Sequence, residues 1–217
     1  MLPMMVNIRN KKVIVIGGGK IAAKRIESLL RFQPNITVVS PVLEERLHDL
    51  VKSDVIEHIA RSFHKSDVQG TFLVIAATDD TAVNQRVKES CQTNQLINIV
   101  DDPANSSFHF PAMYEKNEIT IAVTTSGISP MLAKNLRDEF AAIVDGMDPE
   151  YLLFLKEVRH LVKEGQFTKE QKRILLKECL EEWYHSNSIQ RSIFMEKILD
   201  LYYHPKKIKD KLGSSYN

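Results

Sequence analysis

Apolar residues in the first half of the chain fall in short, nearly continuous runs: Val13–Ile16, Ile36–Val39, Phe72–Ala77, Ile97–Val100 and Ile119–Val123. β-Branched runs of this length predict parallel strands covered on both faces. A weaker strand is predicted at Val55–Ala60. Between the runs, Ile21–Arg31, Leu43–Lys52 and Thr81–Thr93 are helix-compatible. This alternation predicts an α/β sheet with right-handed crossovers.

After Pro130 the pattern changes. Gly and Pro thin out and no strand-like run appears. Met131–Val144, Pro149–Val162, Lys169–His185 and Ile189–Tyr203 read as amphipathic helices. In the third, Ile174, Leu175, Cys179 and Leu180 recur near helical spacing. The turn Lys163–Thr168 predicts a helix start at Thr168, with Gln171 placed for a capping box. The expected architecture is a Rossmann-type domain followed by a helical region, with no internal repeat. The basic, polar tail HPKKIKDKLGSSYN predicts a frayed terminus rather than a binding site.

Composition narrows the function. Of 217 residues, 43% are apolar and 26% charged, as in a soluble globular protein. A formal charge of +1 gives no global field for nucleic acid, so an anionic substrate needs a local cluster. Cys91 and Cys179 lie far apart in the sequence with no CxxC or His/Cys grouping, so no metal site is expected. The opening MLPMMVNIRNKK is too short an apolar patch for a secretory signal, and no run approaches membrane-spanning length. The expectation is a cytoplasmic protein without a membrane partner.

The stretch VIVIGGGKIAAKR carries the first chemistry. Gly17, Gly19 and Ala22 form G-x-G-x-x-A directly after a strand and at the opening of a helix, the context a dinucleotide fingerprint requires. Gly17 allows the tight turn, Gly19 lets backbone approach a pyrophosphate, and Ala22 lets the helix pack closely. With Gly18, Lys20 and Ile21 they form the candidate cofactor turn, whose first helical N–H groups face the phosphates. About 20 residues on, an acid usually holds the ribose. Ser40 stands there, and no arginine immediately follows to favour a 2′-phosphate. NAD is the expected cofactor, with NADP the alternative, since serine does not repel a 2′-phosphate. Thr78 and Asp79, in AATDD at the end of the fourth strand, are placed for the cofactor, though Thr78–Asp80 also reads as a helix cap.

Two further segments exceed what a plain dinucleotide module needs. In NIVDDPANSSFHFPA, Asp101 and Asp102 follow a buried strand at its carboxyl end, where open α/β sheets place chemistry. Paired acids before a proline also make ordinary turns. In TTSGISPMLAKNLRDEF, Ser129 is a good N-cap and Pro130 suits the first turn. Leu132, Leu136 and Phe140 make an apolar stripe. The hydroxyl-rich loop, the helix N-terminus, Lys134 and Arg137 form a candidate anion site.

In this order the four motifs resemble the siroheme synthase N-terminal region family, over roughly residues 1–150. That family comprises precorrin-2 dehydrogenases, some of which also insert iron into sirohydrochlorin. The resemblance implies a dinucleotide domain at 1–113, a dimerisation segment at 114–148, a helical domain at 149–205 and a tail at 206–217. It also implies a homodimer acting on a tetrapyrrole, precorrin-2. The family's aspartate falls on Asp101, expected to accept the proton or to orient the macrocycle. His109, Thr124, Thr125, Ser126, Ser129, Lys134 and Arg137 are the expected substrate contacts. Bifunctional relatives carry serine where this chain has Thr125. The expected activity is NAD-dependent dehydrogenation of precorrin-2. The alternatives are a dehydrogenase that is also a ferrochelatase, and a non-catalytic nucleotide-sensing module.

Overall fold

A computed structural model of the chain describes residues 1–204; the basic tail beyond His204 lies outside them. The chain divides into two compact units, Met1–Phe110 and the residues from Pro111 onward.

The first unit is a parallel sheet of five strands in the order β3-β2-β1-β4-β5. The strands are β1 (Lys12–Ile16), β2 (Asn35–Val39), β3 (Glu57–Ile59), β4 (Leu73–Ala76) and β5 (Leu96–Ile99). The helices are α1 (Lys20–Leu30), α2 (Glu45–Lys52) and α3 (Thr81–Ser90). Alternate side chains of each strand feed two cores, as the pleat requires. Val13, Val15, Val38 and Ile75 pack with Ala22, Ala23 and Ile26 of α1 and Leu47 of α2. Ile14, Ile16, Val74 and Ile99 pack with Val87 of α3 and Val68 on the other face. Both faces are thereby covered, which is why the strands read as continuous apolar runs. The order reverses between β1 and β4, the switch point at which such sheets bind ligands.

The second unit opens with an antiparallel hairpin, β6 (Ala112–Lys116) and β7 (Ile119–Val123). Asn117 and Glu118 make its two-residue turn, both at positive φ. β7 was expected from its apolar run as a parallel strand covered on both faces, but it is antiparallel and only partly buried, because its partner is the hairpin strand β6 and not the sheet. β6 was not expected, because Glu115 and Lys116 break its pattern. The helices that follow are α4 (Pro130–Asp145), α5 (Pro149–Glu164), α6 (Lys169–Glu178), α7 (Trp183–Ser186) and α8 (Ser188–Tyr203). Thr168 and Gln171 form the reciprocal capping box at the start of α6. The single helix expected over Lys169–His185 is instead two, broken after Glu178. The break lets Tyr184 turn into the core against Phe154 and Phe194, at ring-centroid distances of 5.6 and 5.2 Å. Among the described residues no helix is long and apolar enough to cross a membrane.

Arg191 on α8 holds this break in place. Its buried guanidinium donates to the carbonyls of Tyr184 (3.0 Å) and His185 (3.1 Å). It also pairs with Asp148, the N-cap of α5, at 2.8 Å. Arg191→Ala orphans two carbonyls and a partly buried carboxylate. It is expected to lower stability by about 2–4 kcal/mol, measured as the urea midpoint reported by Trp183 fluorescence.

Candidate active site

The three glycines after β1 have three separate physical jobs. Gly17 sits at φ +113°, and a Cβ there would lie 2.4 Å from the Ala77 carbonyl oxygen. A side chain would therefore force the exits of β1 and β4 apart. Gly18 would place a Cβ 2.3 Å from the Val42 carbonyl oxygen. That loop is held close by the Glu44 N–H, which donates to the Gly18 carbonyl at 2.7 Å. Gly19 differs from both: its φ is −84° and a Cβ would meet nothing within 4 Å. Neither backbone strain nor packing within the chain demands glycine at 19.

Gly19 is also the N-cap of α1, where no side chain caps the turn and no acid occupies its first turn. The first intrahelical bond runs from the Ala23 N–H to the Gly19 carbonyl, 3.0 Å. Lys20 and Ile21, the first residues of the helix, are exposed, and no side chain caps their N–H groups. An uncapped helix start of this kind accommodates an anion, and its positive dipole end favours one. Ala22 is fully buried, consistent with close packing of α1 on the sheet. These residues fit the pyrophosphate of a dinucleotide. Gly17→Ala is expected to destabilise the fold by about 2–4 kcal/mol, from left-handed backbone strain and overpacking. Gly19→Ala should cost less than about 1 kcal/mol. Urea unfolding of the two variants compares them directly.

Ser40, at the end of β2, is buried and donates its hydroxyl to the Val42 carbonyl at 2.7 Å. It therefore shapes the loop that Gly18 packs against, and its oxygen remains able to accept. Thr78 follows β4, with its N–H nitrogen 3.0 Å from where a Gly17 Cβ would stand. Asp79 is exposed. Asp80 caps α3, accepting from the Ala82 (2.8 Å) and Val83 (3.1 Å) N–H groups.

The paired acids after β5 separate in role. Asp101 Oδ1 accepts from Asn84 Nδ2 at 2.9 Å. Asp102 turns away and caps the following turn, accepting from the Asn105 backbone (3.2 Å) and side chain (2.6 Å). Those bonds, from Asn105 above all, hold the Asp102 carboxyl below its ordinary range. Asp101 and Asp102 line a cleft of about 360 Å³ with Thr81, Asn84, Gln85 and Ile99. Asn84 was not anticipated from the sequence, and its signal there is faint: one amide among the apolar positions of α3.

Most of the other polar residues of this segment serve the sheet edge. Ser107 and Ser106 hydroxyls accept from the Ile97 and Ile99 N–H groups, each at 2.8 Å, in place of a neighbouring strand. His109 Nε2 lies 3.0 Å from the Pro103 carbonyl, so that nitrogen donates and the ring braces the turn.

The remaining expected substrate contacts belong to the second unit. Thr125 Oγ1 donates to the Ser129 carbonyl (3.0 Å) and accepts from its N–H (3.1 Å). Thr124 Oγ1 accepts from the Ser126 N–H at 3.2 Å, and Ser129 Oγ caps α4 through the Leu132 N–H at 3.1 Å. Ser126 (φ +51°) and Gly127 (φ +88°) bend the loop back on itself. Lys134 is exposed, and Arg137 pairs with Asp138 at 2.6 Å. The buried side of α4 is Ala133, Ala141 and Val144. Leu132 and Phe140, two members of the expected apolar stripe, are exposed instead, along with Ile128 (85%), Met131 (66%) and Ile143 (60%).

The fold and the glycine turn together define a dinucleotide-binding α/β domain. A family described as "Putative NAD(P)-binding" matches residues 4–112, and a SirC C-terminal domain matches residues 149–194. The precorrin-2 dehydrogenase of Priestia megaterium is 27% identical over 91% of this chain and 98% of its own length. The siroheme synthase of Mannheimia succiniciproducens is 35% identical over 79% of this chain. That alignment covers 36% of the synthase, so the chain spans about a third of such a relative. The solved structure of SirC, a precorrin-2 dehydrogenase, superposes with a TM-score of 0.78 at 27% identity, covering 92% of this chain and all of that one. The chain belongs to this NAD(P)-binding family, as a homologue of the precorrin-2 dehydrogenases and siroheme synthases.

Proposed function

We propose that the protein is an NAD-dependent precorrin-2 dehydrogenase that forms sirohydrochlorin. One observation carries this reading. At the carboxyl edge of the sheet, the Asp101 carboxylate is joined through Asn84 to Thr78, the residue beside the Gly17 turn. A dinucleotide held at Gly19 and a proton-accepting carboxylate thereby share one edge. The full-length similarity to the Priestia megaterium enzyme supports the same substrate.

The division of labour follows from the chemistry. A C–H bond of the macrocycle gives up its hydrogen with the electron pair, and a proton then leaves as conjugation extends. When bound, the nicotinamide supplies the hydride acceptor. Asp101 takes the proton and stabilises the cation that precedes its loss. The substrate's peripheral carboxylates are met by Lys134 and Arg137, with Thr124–Ser126 and Ser129 setting the loop in front of α4. His109 braces the turn after Asp101 through Nε2 and the Pro103 carbonyl, and its exposed ring stays available to the substrate.

The apolar face of α4 and its preceding loop, exposed in the single chain, is the surface on which two copies pair. Light scattering should return twice the chain mass at micromolar concentration, and a monomer would remove that pairing. Both cysteines are unpaired thiols that burial pushes up to about 11, which suits the reducing cytoplasm. The function itself is tested by anaerobic assay with NAD+ and NADP+ in parallel. Higher kcat/KM with NAD+ is expected; turnover with neither rejects the dehydrogenase. Co2+ offered to the product then reports whether the protein also inserts metal.

A further inference from the structure

We infer that Asn84 is the positioning residue of Asp101, tying the carboxylate to the same loop that packs on the cofactor turn. The inference rests on the dehydrogenase reading for its consequence in catalysis, but not for the contact itself.

Asn84 lies on the inner side of α3 and is 1% exposed. An amide buried this deeply is costly unless its hydrogen-bonding capacity is met. Here all of it is used. Oδ1 accepts from the Thr78 backbone N–H (3.2 Å) and lies 2.7 Å from the Thr78 hydroxyl, whose one proton it shares with the Asp80 carbonyl at 2.9 Å. Nδ2 donates to the Thr78 carbonyl (3.1 Å) and to Asp101 Oδ1 (2.9 Å). The Thr78 N–H can only donate and its carbonyl can only accept. That pair fixes which end of the amide is oxygen. Asn84 must therefore present an N–H to Asp101, and Asp101 must answer with an acceptor.

The consequence is orientation. One carboxylate oxygen of Asp101 is held, and Oδ2 has no protein partner among the described residues. Asp101 lines the open cleft, so its second oxygen is the one left to act on substrate. The exit of β4 that a Cβ at Gly17 would strike is the Ala77–Thr78 peptide, at the Ala77 carbonyl first and the Thr78 nitrogen next. A contiguous chain of contacts, Gly17 to Thr78 to Asn84 to Asp101, thus fixes the base relative to the dinucleotide turn.

A plain loop clamp and a positioning residue predict different results. Asn84→Asp keeps an acceptor for Thr78 and turns an oxygen toward Asp101. Two carboxylates at hydrogen-bond distance share a proton, and the pair's upper apparent pKa rises by roughly 1–3 units above that of Asp101 alone. Other charged groups nearby are Asp79, Asp80, Asp102 and Lys88, and they are the same in both proteins. Carboxyl ¹³C titration of aspartate-labelled protein reads the shift without substrate or cofactor, and Asp101→Asn assigns the resonance.

A double-mutant cycle covers the case in which Asn84→Asp does not fold. Asn84→Ala should lower kcat by about 10- to 100-fold in the wild-type background, with the KM for precorrin-2 little changed. In the Asp101→Asn background the same change should cost less than about twofold. An unshifted titration in folded Asn84→Asp, or equal losses in both backgrounds, overturns the inference. If the wild-type protein does not oxidise precorrin-2 at all, the dehydrogenase reading fails. The titration still decides the Asn84–Asp101 contact.

Discussion

Asp101→Asn is expected to slow dehydrogenation of precorrin-2 by about 10²–10⁴-fold, the usual worth of a positioned general base. The substitution is nearly isosteric. An asparagine at 101 can still accept from Asn84 Nδ2 through its own side-chain oxygen, so the contact at 2.9 Å survives. What disappears is the charge that stabilises the oxidised macrocycle and takes its proton. The thermal midpoint and NAD affinity should therefore stay near wild type. Asp102→Asn is the matched control. Its carboxylate caps the Pro103–Asn105 turn, and asparagine caps as well, so stability should change little and activity should fall at most a few-fold. Anaerobic single-turnover kinetics separates the two. Near-wild-type turnover by Asp101→Asn would remove it as the base.

Gly19→Asp is the second large effect, and its two readouts should move in opposite directions. A Cβ at 19 meets nothing within 4 Å, so the apo fold has room for the side chain. Aspartate is among the best N-caps, and α1 has no side-chain cap. The new carboxylate should hold the N–H groups of the first turn and leave stability unchanged or raised by about 0.5–1 kcal/mol. The same groups are then denied to the pyrophosphate, and the negative charge repels it. Calorimetry should detect no NAD binding in a protein whose urea midpoint has not fallen. Unchanged NAD affinity would place the pyrophosphate elsewhere.

The first unit was largely legible in the sequence because its determinants are local. Strands buried on both faces produce continuous apolar runs, and Gly17 and Asp80 announce a turn and a cap at fixed offsets. The failures arise where a distant residue decides. β6 forms because β7 offers it a ladder, and its own residues Glu115 and Lys116 argue against a strand. The helix expected over Lys169–His185 breaks after Glu178 without Gly or Pro, and Tyr184 beyond the break packs on Phe154 and Phe194, distant residues that the local pattern does not reveal. The exposed face of α4 looked like any core stripe, since periodicity alone does not tell a face that packs on its own chain from one that does not. In the candidate site, Asp101 was visible from its place after a strand. Asn84 was not, because a buried amide has the same letter as a solvated one until its partners are known.

Hydride transfer from precorrin-2 to NAD is the activity proposed for this chain. Purified protein is mixed with precorrin-2 and NAD+ under anaerobic conditions, while the visible spectrum and NADH are followed together. The sirohydrochlorin spectrum and NADH should rise at the same rate and in equal amounts, and neither should rise with Gly19→Asp. A protein that binds NAD and leaves precorrin-2 unchanged would not be a precorrin-2 dehydrogenase.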